Sequence, residues 1–165
     1  MILICYDGSD DARAAVEHAG DLLRGHPATV LTVWPPFAHI LASTTTGLGA
    51  MAGLVNMEEI DEASRKQAEQ HARDGTELAR KSGLEATPRT CSQDTTSANA
   101  ILSEAEAVGA EAIVMGSRGL TGLKSLLLGS VSHAVIQHAD RTVIVVPSTR
   151  VASARTGRRS ATQEA

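Results

Sequence analysis

The fold is decided by the stretch Ile113-Val114-Met115-Gly116-Ser117-Arg118-Gly119, which leads on to Gly129-Ser130-Val131. Its opening residues are apolar and β-branched, as in a buried strand, and the glycines that follow indicate a turn. The Gly-Ser pair indicates the start of a helix. A glycine turn and a helix start each present backbone N–H groups without partners, and such groups bind phosphate oxygens well. The stretch therefore predicts an anion site at the end of a strand.

Two common phosphate motifs do not describe this stretch. The P-loop needs G-x-x-x-x-G-K-[ST], and Gly119–Ser125 fails because Leu123 stands where the second glycine belongs. Gly47–Ala52 fits the loose pattern G-x-G-x-x-[GA], but it follows a Ser/Thr run and no strand. A dinucleotide site at that position is therefore not favoured.

Composition excludes several classes of protein. The 165 residues suit one domain; 42% are hydrophobic, and the net charge is −4. Only 2% are aromatic, which argues against binding of single-stranded nucleic acid, because such binding stacks bases on aromatic rings. No apolar run is long enough to cross a bilayer, and the first residues lack a signal-peptide pattern. We expect a cytoplasmic protein without nucleic-acid or membrane partners, in which Cys5 and Cys91 stay reduced.

Apolar, β-rich segments alternate with segments of helical period along most of the chain. The predicted strands cover residues 2–6, 29–34, 84–91, 111–115 and 142–146. The predicted helices follow residue 10 and cover residues 57–82, 97–108 and 131–139. This alternation predicts an α/β fold with an open parallel sheet and helices on both faces.

Local signals fix several details of these elements. Ser9 or Asp10 is expected to cap the first helix, whose inward stripe includes Leu22, and Ser130 is expected to cap the last helix. Pro88 places the third strand at an edge of the sheet, because proline cannot donate to a ladder. Residues 37–56 lack a sustained period, and we expect a mobile excursion with room for a short helical turn.

The chain resembles the universal stress protein family over residues 1–147. The resemblance rests on the spacing Gly116-x2-Gly119-x9-Gly129-Ser130, on the opening Ile2–Ser9 and on the ending His138–Pro147. It implies a Rossmann-like fold, similar to the adenine nucleotide alpha hydrolases, with five parallel strands in the order 3-2-1-4-5. Residues 148–165, rich in arginine and without an apolar period, are predicted to form a disordered basic tail. A solubilising terminus is favoured there over weak binding to an anionic partner.

The resemblance also implies an adenine-nucleotide site. Asp7 would contact the ribose, the Val33 backbone and Met115 would face adenine, and a phosphate turn and a helix start would hold the phosphates. The turn would be formed by Gly116, Arg118 and Gly119, and the helix start by Gly129, Ser130 and Val131. Asp7 could instead only brace its own turn, and Arg118 could face solvent. Lys124 and Ser125 could reach a γ-phosphate.

The function implied is that of an ATP-binding regulatory protein of the stress response. ATP is the expected ligand, with AMP or ADP as alternatives and Mg²⁺ as a candidate companion ion. Residues 116–130 contain no Asp or Glu that could act as a base or hold a metal, so ATP hydrolysis should be slow or absent. No catalytic residue and no protein metal site are predicted; Asp7, Asp10 and Asp11 are the nearby carboxylates.

Two other functions stay open. One is an adenylating or ATP-hydrolysing enzyme of the adenine nucleotide alpha hydrolase group, although such an enzyme would be expected to carry an added substrate domain. The other is a dimeric interaction module with vestigial nucleotide binding. A homodimer is expected in any case, because the order 3-2-1-4-5 leaves the flat, β-branched strand Thr142–Val146 on an exposed edge. The family resemblance points to the same pairing.

Overall fold

The strands and helices of the molecule follow one another in the predicted alternation. The computed structural model describes residues 1–43, 56–120, 128–148 and 152–153. The strands are β1 (Ile2–Cys5), β2 (Pro27–Trp34), β3 (Glu85–Ser92), β4 (Ala112–Gly116) and β5 (Thr142–Val146). The helices are α1 (Asp10–Leu22), α2 (Phe37–Ser43), α3 (Met57–Lys81), α4 (Ser97–Ala107) and α5 (Ser130–His138).

The five strands form one parallel sheet in the order β3-β2-β1-β4-β5, which confirms the predicted fold. The central strand β1 pairs with β2 on one side and with β4 on the other. The chain therefore leaves β1 in one direction along the sheet and later returns to its opposite side. Such a switch point opens a crevice beyond the carboxyl ends of the central strands, where ligands of open α/β sheets bind.

The two faces of the sheet carry separate apolar layers, because successive side chains of a strand point to opposite faces. Ile2 and Ile4 of β1 pack with α1 and α3, whose contacting residues are largely alanine. Leu3 and Cys5 pack with α4 and α5, mainly through Ile101 and Val135. The second layer continues to the carboxyl ends of the strands and borders the crevice.

Several local predictions can be compared with the structure. Ser9 caps α1 as expected, and Pro88 lies on the edge strand β3, which pairs with β2. Leu22 was predicted to face inward and is 67% exposed, so that prediction is wrong. The reason is a close contact near the end of α1, where a Cβ on Gly20 would lie 2.3 Å from the Cβ of Ser82. This contact turns Gly20, and not Leu22, toward the body of the protein.

The segment predicted to be an excursion begins as a helix. α2 is tied to α3 by the Phe37 N–H, which donates to Asp61 Oδ1 at 2.6 Å. Residues 44–55, with the loose Gly47–Ala52 pattern, lie outside the described residues, as does most of the predicted tail. Within the described part of the chain, no helix is both long and apolar enough to cross a membrane.

The two cysteines are free thiols. They lie on β1 and β3, and β2 separates those strands, as the predicted order requires. Burial, reinforced by the nearby Asp7 charge, raises the pKa of Cys5 to about 12. Burial and the Glu104 charge raise the pKa of Cys91 to about 11. Both thiols therefore stay protonated at neutral pH, which makes them poor nucleophiles.

Candidate functional site

A cleft of about 530 Å³ opens at the carboxyl ends of β1, β2 and β4. Its size lies within the usual range of small-molecule sites. The nine site residues named from the sequence all line it: Asp7, Val33, Met115, Gly116, Arg118, Gly119, Gly129, Ser130 and Val131. The structure therefore brings together residues from four separate places in the chain, although their individual roles stay predictions.

Gly116 and Gly119, the first two glycines of the motif, are each required for a different local reason. A Cβ on Gly116 would lie 2.7 Å from the Asp11 carbonyl carbon and 2.8 Å from the Ala12 nitrogen. The absent side chain thus lets α1 start directly against β4. Gly119 is exposed, and a Cβ there would lie 2.7 Å from Asp7 Oδ2. Neither glycine has a positive φ, so space and not backbone conformation requires them.

Asp7 joins the two walls of the cleft. Its Oδ1 accepts a hydrogen bond from the Ser9 N–H at 3.0 Å, within its own turn. Its Oδ2 accepts one from the Leu120 N–H at 3.2 Å, in the glycine segment. The bracing role that the sequence left open is therefore present. Contact with a ribose stays a prediction.

Asp11 is the centre of a buried network that sequence reasoning missed. The Ser117 hydroxyl donates to Asp11 Oδ2 at 2.7 Å, and Arg118 Nε lies 3.8 Å from the same oxygen. The side chains of Asp11 and Arg118 are only 5% and 11% exposed. A helical wheel could have found Asp11, since it precedes the buried Ala15 by one helical turn. Arg118 is thus turned inward onto a carboxylate.

The ionisation of Asp11 is set by opposing effects. Burial raises the pKa of its carboxyl, but the Ser148 and Ser117 hydroxyls and the Arg118 charge outweigh burial and hold the pKa below its usual value. Because the buried Ser148 hydroxyl makes no hydrogen bond of ordinary geometry with the described residues, the Ser117 hydrogen bond and the Arg118 charge are the contributions that the geometry supports. The carboxylate is therefore ionised at neutral pH and engaged with its neighbours.

Helix α5 begins without a capping side chain. Gly129 occupies the N-cap position, and its N–H donates to the Ser117 carbonyl at 2.8 Å. The prediction that Ser130 caps this helix is wrong, because Ser130 is its first helical residue and no side-chain cap bond forms. In contrast, Ser9 caps α1 and Thr96 caps α4. The first-turn N–H groups of α5 lack a capping side chain, and with the positive end of the helix dipole they suit an anion.

Ser132 fixes the start of α5 to the glycine turn. Its buried hydroxyl donates to the Gly116 carbonyl at 2.9 Å, and the Ser117 carbonyl lies 3.3 Å away. This contact and the Gly129 hydrogen bond hold the glycine turn and the start of α5 in one arrangement. No sequence pattern distinguished Ser132 from an ordinary helix serine.

The opposite end of the cleft is apolar. The sheet contributes Cys5, Leu31, Val33 and Met115, all from the layer that packs with α4 and α5. Helix α4 adds Ile101, and Val131 at the start of α5 borders this apolar wall. A flat, weakly polar ring fits such surroundings better than a charged group does. The cleft as a whole suits a molecule with an apolar ring at one end and anionic groups at the other.

The remaining predicted contacts cannot be placed. Lys124 and Ser125 lie outside the described residues. Among the residues that the structure does describe, no group of three or more His, Cys, Asp and Glu side chains could hold a metal ion.

Comparison with known proteins decides the family. The model of the universal stress protein family matches residues 1–147. The chain belongs to this family. Universal stress protein YxiE of Bacillus subtilis is 31% identical over 150 residues, which cover 88% of this chain and 97% of that protein.

Solved structures share the fold of this universal stress protein. One from Methanocaldococcus jannaschii gives a TM-score of 0.69 at 24% identity, covering 88% of this chain and 94% of that one. The universal stress protein of Archaeoglobus fulgidus in complex with dAMP gives 0.60 at 24% identity, covering 88% and 95%. At such identities the structures support the fold alone.

Proposed function

We propose that this protein binds an adenine nucleotide in the cleft, with the phosphates at the glycine turn and the start of α5. The observation that carries the proposal is the meeting of all nine predicted residues at one cleft of suitable size. The uncapped start of α5 supplies donors for phosphate oxygens. The apolar end accommodates the base, and Asp7 lies between the two ends. The dAMP complex of the Archaeoglobus fulgidus relative supports the same class of ligand.

ATP, accompanied by Mg²⁺, is the proposed working ligand, and hydrolysis is slow or absent. Fast phosphoryl transfer needs a positioned base and carboxylates that hold the metal. Of the nearby carboxylates, Asp7 braces two loops and Asp11 is buried against Ser117 and Arg118. Asp11 is nearly buried and both Asp7 oxygens already accept backbone hydrogen bonds, so neither carboxylate is set up as the positioned base that fast transfer needs. The third nearby carboxylate, Asp10, is exposed at the start of α1. Without a positioned base, a regulatory role in the stress response fits the site better than an enzymatic role. The two free cysteines suit the reducing cytoplasm.

Calorimetric titration of the wild type and of Gly119→Val with AMP, ADP and ATP tests the binding site. A valine at position 119 would push on the Asp7 carboxylate and fill space beside the phosphate turn, so affinity should fall at least about tenfold. Glu85→Val is the matched control, because it adds the same side chain at an exposed position at the amino end of β3. Undiminished affinity in Gly119→Val would remove the phosphate site from this segment.

We also propose a homodimer through β5. Val143, Ile144 and Val145 are only half-buried, and β5 has a hydrogen-bonded neighbour on one side in this sheet. The other edge, β3, carries Pro88 and the exposed, charged Glu85 and Arg89, which discourage pairing. Edge-to-edge pairing of two copies through β5 would cover the apolar strand.

Sedimentation at micromolar concentration tests the dimer. Val145→Lys should shift the protein toward monomer, and Thr87→Lys on the opposite edge should leave the dimer intact. A wild-type chain that sediments as a monomer would contradict the proposal.

A further inference from the structure

Ser97 carries a hydroxyl and is one of the residues that line the cleft. Three other lining residues carry hydroxyls. Ser130 and Ser132 belong to the start of α5, beside the glycine turn. The Tyr6 ring turns to the other face of the sheet, where a Cβ on Gly75 would lie 2.7 Å from it. Among the described residues that line the cleft, Ser97 is therefore the hydroxyl residue on the side away from the glycine turn.

The position of Ser97 suits contact with a base. Ser97 and Ile101 are one helical turn apart on α4, and both line the cleft. α4 follows β3 and packs against β2, whereas the glycine turn follows β4 on the far side of β1. A nucleotide with its phosphates at the turn would direct its base toward Val33 and Ser97.

Two hydrogen bonds fix the direction in which the Ser97 hydroxyl donates. The Gln93 side-chain Nε2 donates to the Thr95 carbonyl at 3.3 Å, which turns Gln93 Oε1 toward α4. The Ser97 hydroxyl donates to this Oε1 at 2.8 Å. The Gln93 N–H also donates to the Trp34 carbonyl at 2.9 Å, which ties Gln93 to the end of β2. The single hydroxyl proton is thereby used, and Ser97 can offer the cleft only its lone pairs.

We propose that Ser97 selects adenine over 6-oxopurines by accepting a hydrogen bond from the exocyclic amino group. The inference rests on the nucleotide site proposed above and names the base that the site prefers. An acceptor pairs with the amino group of adenine and repels the carbonyl oxygen of hypoxanthine or guanine. Sites built to hydrogen-bond a particular substrate group reject analogues that lack it.

The test combines protein variants with ligand variants in calorimetric titrations. The probes are the 5′-monophosphates of adenosine, inosine and purine riboside, which carry at C6 an amino group, an oxygen and a hydrogen. The wild type should bind AMP about five- to tenfold more tightly than the purine riboside monophosphate, as one hydrogen bond would give, and inosine monophosphate more weakly still. This comparison needs no mutation.

Ser97→Ala should lower the AMP affinity to that of the purine riboside monophosphate and leave the latter unchanged. Gln93→Ala should release the hydroxyl proton, so that inosine monophosphate gains affinity relative to AMP. Ser92→Ala is the matched control, since its hydroxyl lies in the same turn, donates to Asp94 and does not line the cleft. It should bind all three ligands as the wild type does.

The outcomes separate this inference from the function on which it rests. A wild type that binds the three ligands equally, or a Ser97→Ala variant that keeps the full preference for AMP, would overturn base selection by Ser97 and leave nucleotide binding standing. A wild type that binds none of them would overturn both.

Discussion

At the glycine end of the cleft, the buried Asp11 carboxylate accepts a hydrogen bond from the Ser117 hydroxyl and lies beside the Arg118 guanidinium. The backbone at the start of α1 packs in the space that a side chain at Gly116 would occupy. At the opposite end, apolar side chains from three parallel strands meet two helices, and Ser97 adds a single hydroxyl. The first end is specified by individual hydrogen bonds and close contacts. The second is specified by the alternation of side chains along strands. Single changes should therefore cost much at the first end and little at the second.

Asp11→Ala should have the largest effect on stability. It leaves the Arg118 charge nearly buried and the Ser117 hydroxyl without its acceptor, and breaking a buried pair in this way costs about 3–5 kcal/mol. Urea denaturation of the two proteins measures the loss. Asp10→Ala is the control, because Asp10 is exposed one residue away and should cost no more than about 1 kcal/mol. Equal losses in the two variants would show that the network adds nothing beyond helix-end electrostatics.

Gly116→Ala should cost about 1–3 kcal/mol of unfolding free energy. The added methyl would meet the backbone of Asp11 and Ala12 at less than 3 Å, and a backbone cannot turn aside as a side chain can. Gly119→Ala, in the exposed part of the same turn, meets only the end of the Asp7 side chain and should stay within about 1 kcal/mol of the wild type. If Gly119→Ala proved the more destabilising, the two glycines would have the reverse of the roles assigned here.

Asp11→Asn should cost less than truncation, about 1–3 kcal/mol, because the amide keeps the shape and an acceptor for the Ser117 hydroxyl but leaves the Arg118 charge without its counter-charge. The cost should depend on pH. The folded-state pKa of Asp11 lies below its ordinary value of 3.8, so its ionised form stabilises the fold above that pH and the benefit is lost as pH falls through the folded pKa. The gap between the two proteins should therefore be constant above about pH 3.8 and close below it. A gap that widens in acid would reverse the assigned sign.

The alternation of strands and helices followed from local, repeated signals in the sequence, whereas the sheet order came from the family resemblance. Apolar runs predicted β1, β2, β4 and β5, and Pro88 predicted that the less regular β3 lies at an edge of the sheet. The error at Leu22 has a different cause, since Gly20 and not Leu22 packs against Ser82 at the end of α1. A periodic pattern cannot contain that information.

The parts of the candidate site that belong to a known sequence motif could be predicted. The parts that depend on contacts between residues far apart in the sequence could not. The glycines, Asp7 and Val33 were assigned to the site through the family pattern, and the structure gathers them at one cleft. The contact of Asp11 with Ser117 spans 106 residues, so a helical wheel could indicate that Asp11 is buried but not which residue it contacts. The predicted cap at Ser130 was wrong because Gly129 occupies the N-cap position of α5 and donates its N–H to the Ser117 carbonyl.

Met115→Leu should have the smallest effect and tests the base end of the cleft. Leucine keeps the volume and apolar character of a buried methionine, so stability should change by less than about 1.5 kcal/mol. AMP affinity should change by no more than a few-fold, because an apolar wall contributes through shape and not through a directed contact. Met115→Gln is the matched contrast, since it has nearly the same length but buries an amide beside Ile101 and Val131, at a cost of about 1–3 kcal/mol. Urea denaturation and calorimetry measure both variants. A Met115→Leu variant that lost as much stability as Asp11→Ala would show that the base end also depends on exact individual contacts, and the contrast between the two ends would have to be abandoned.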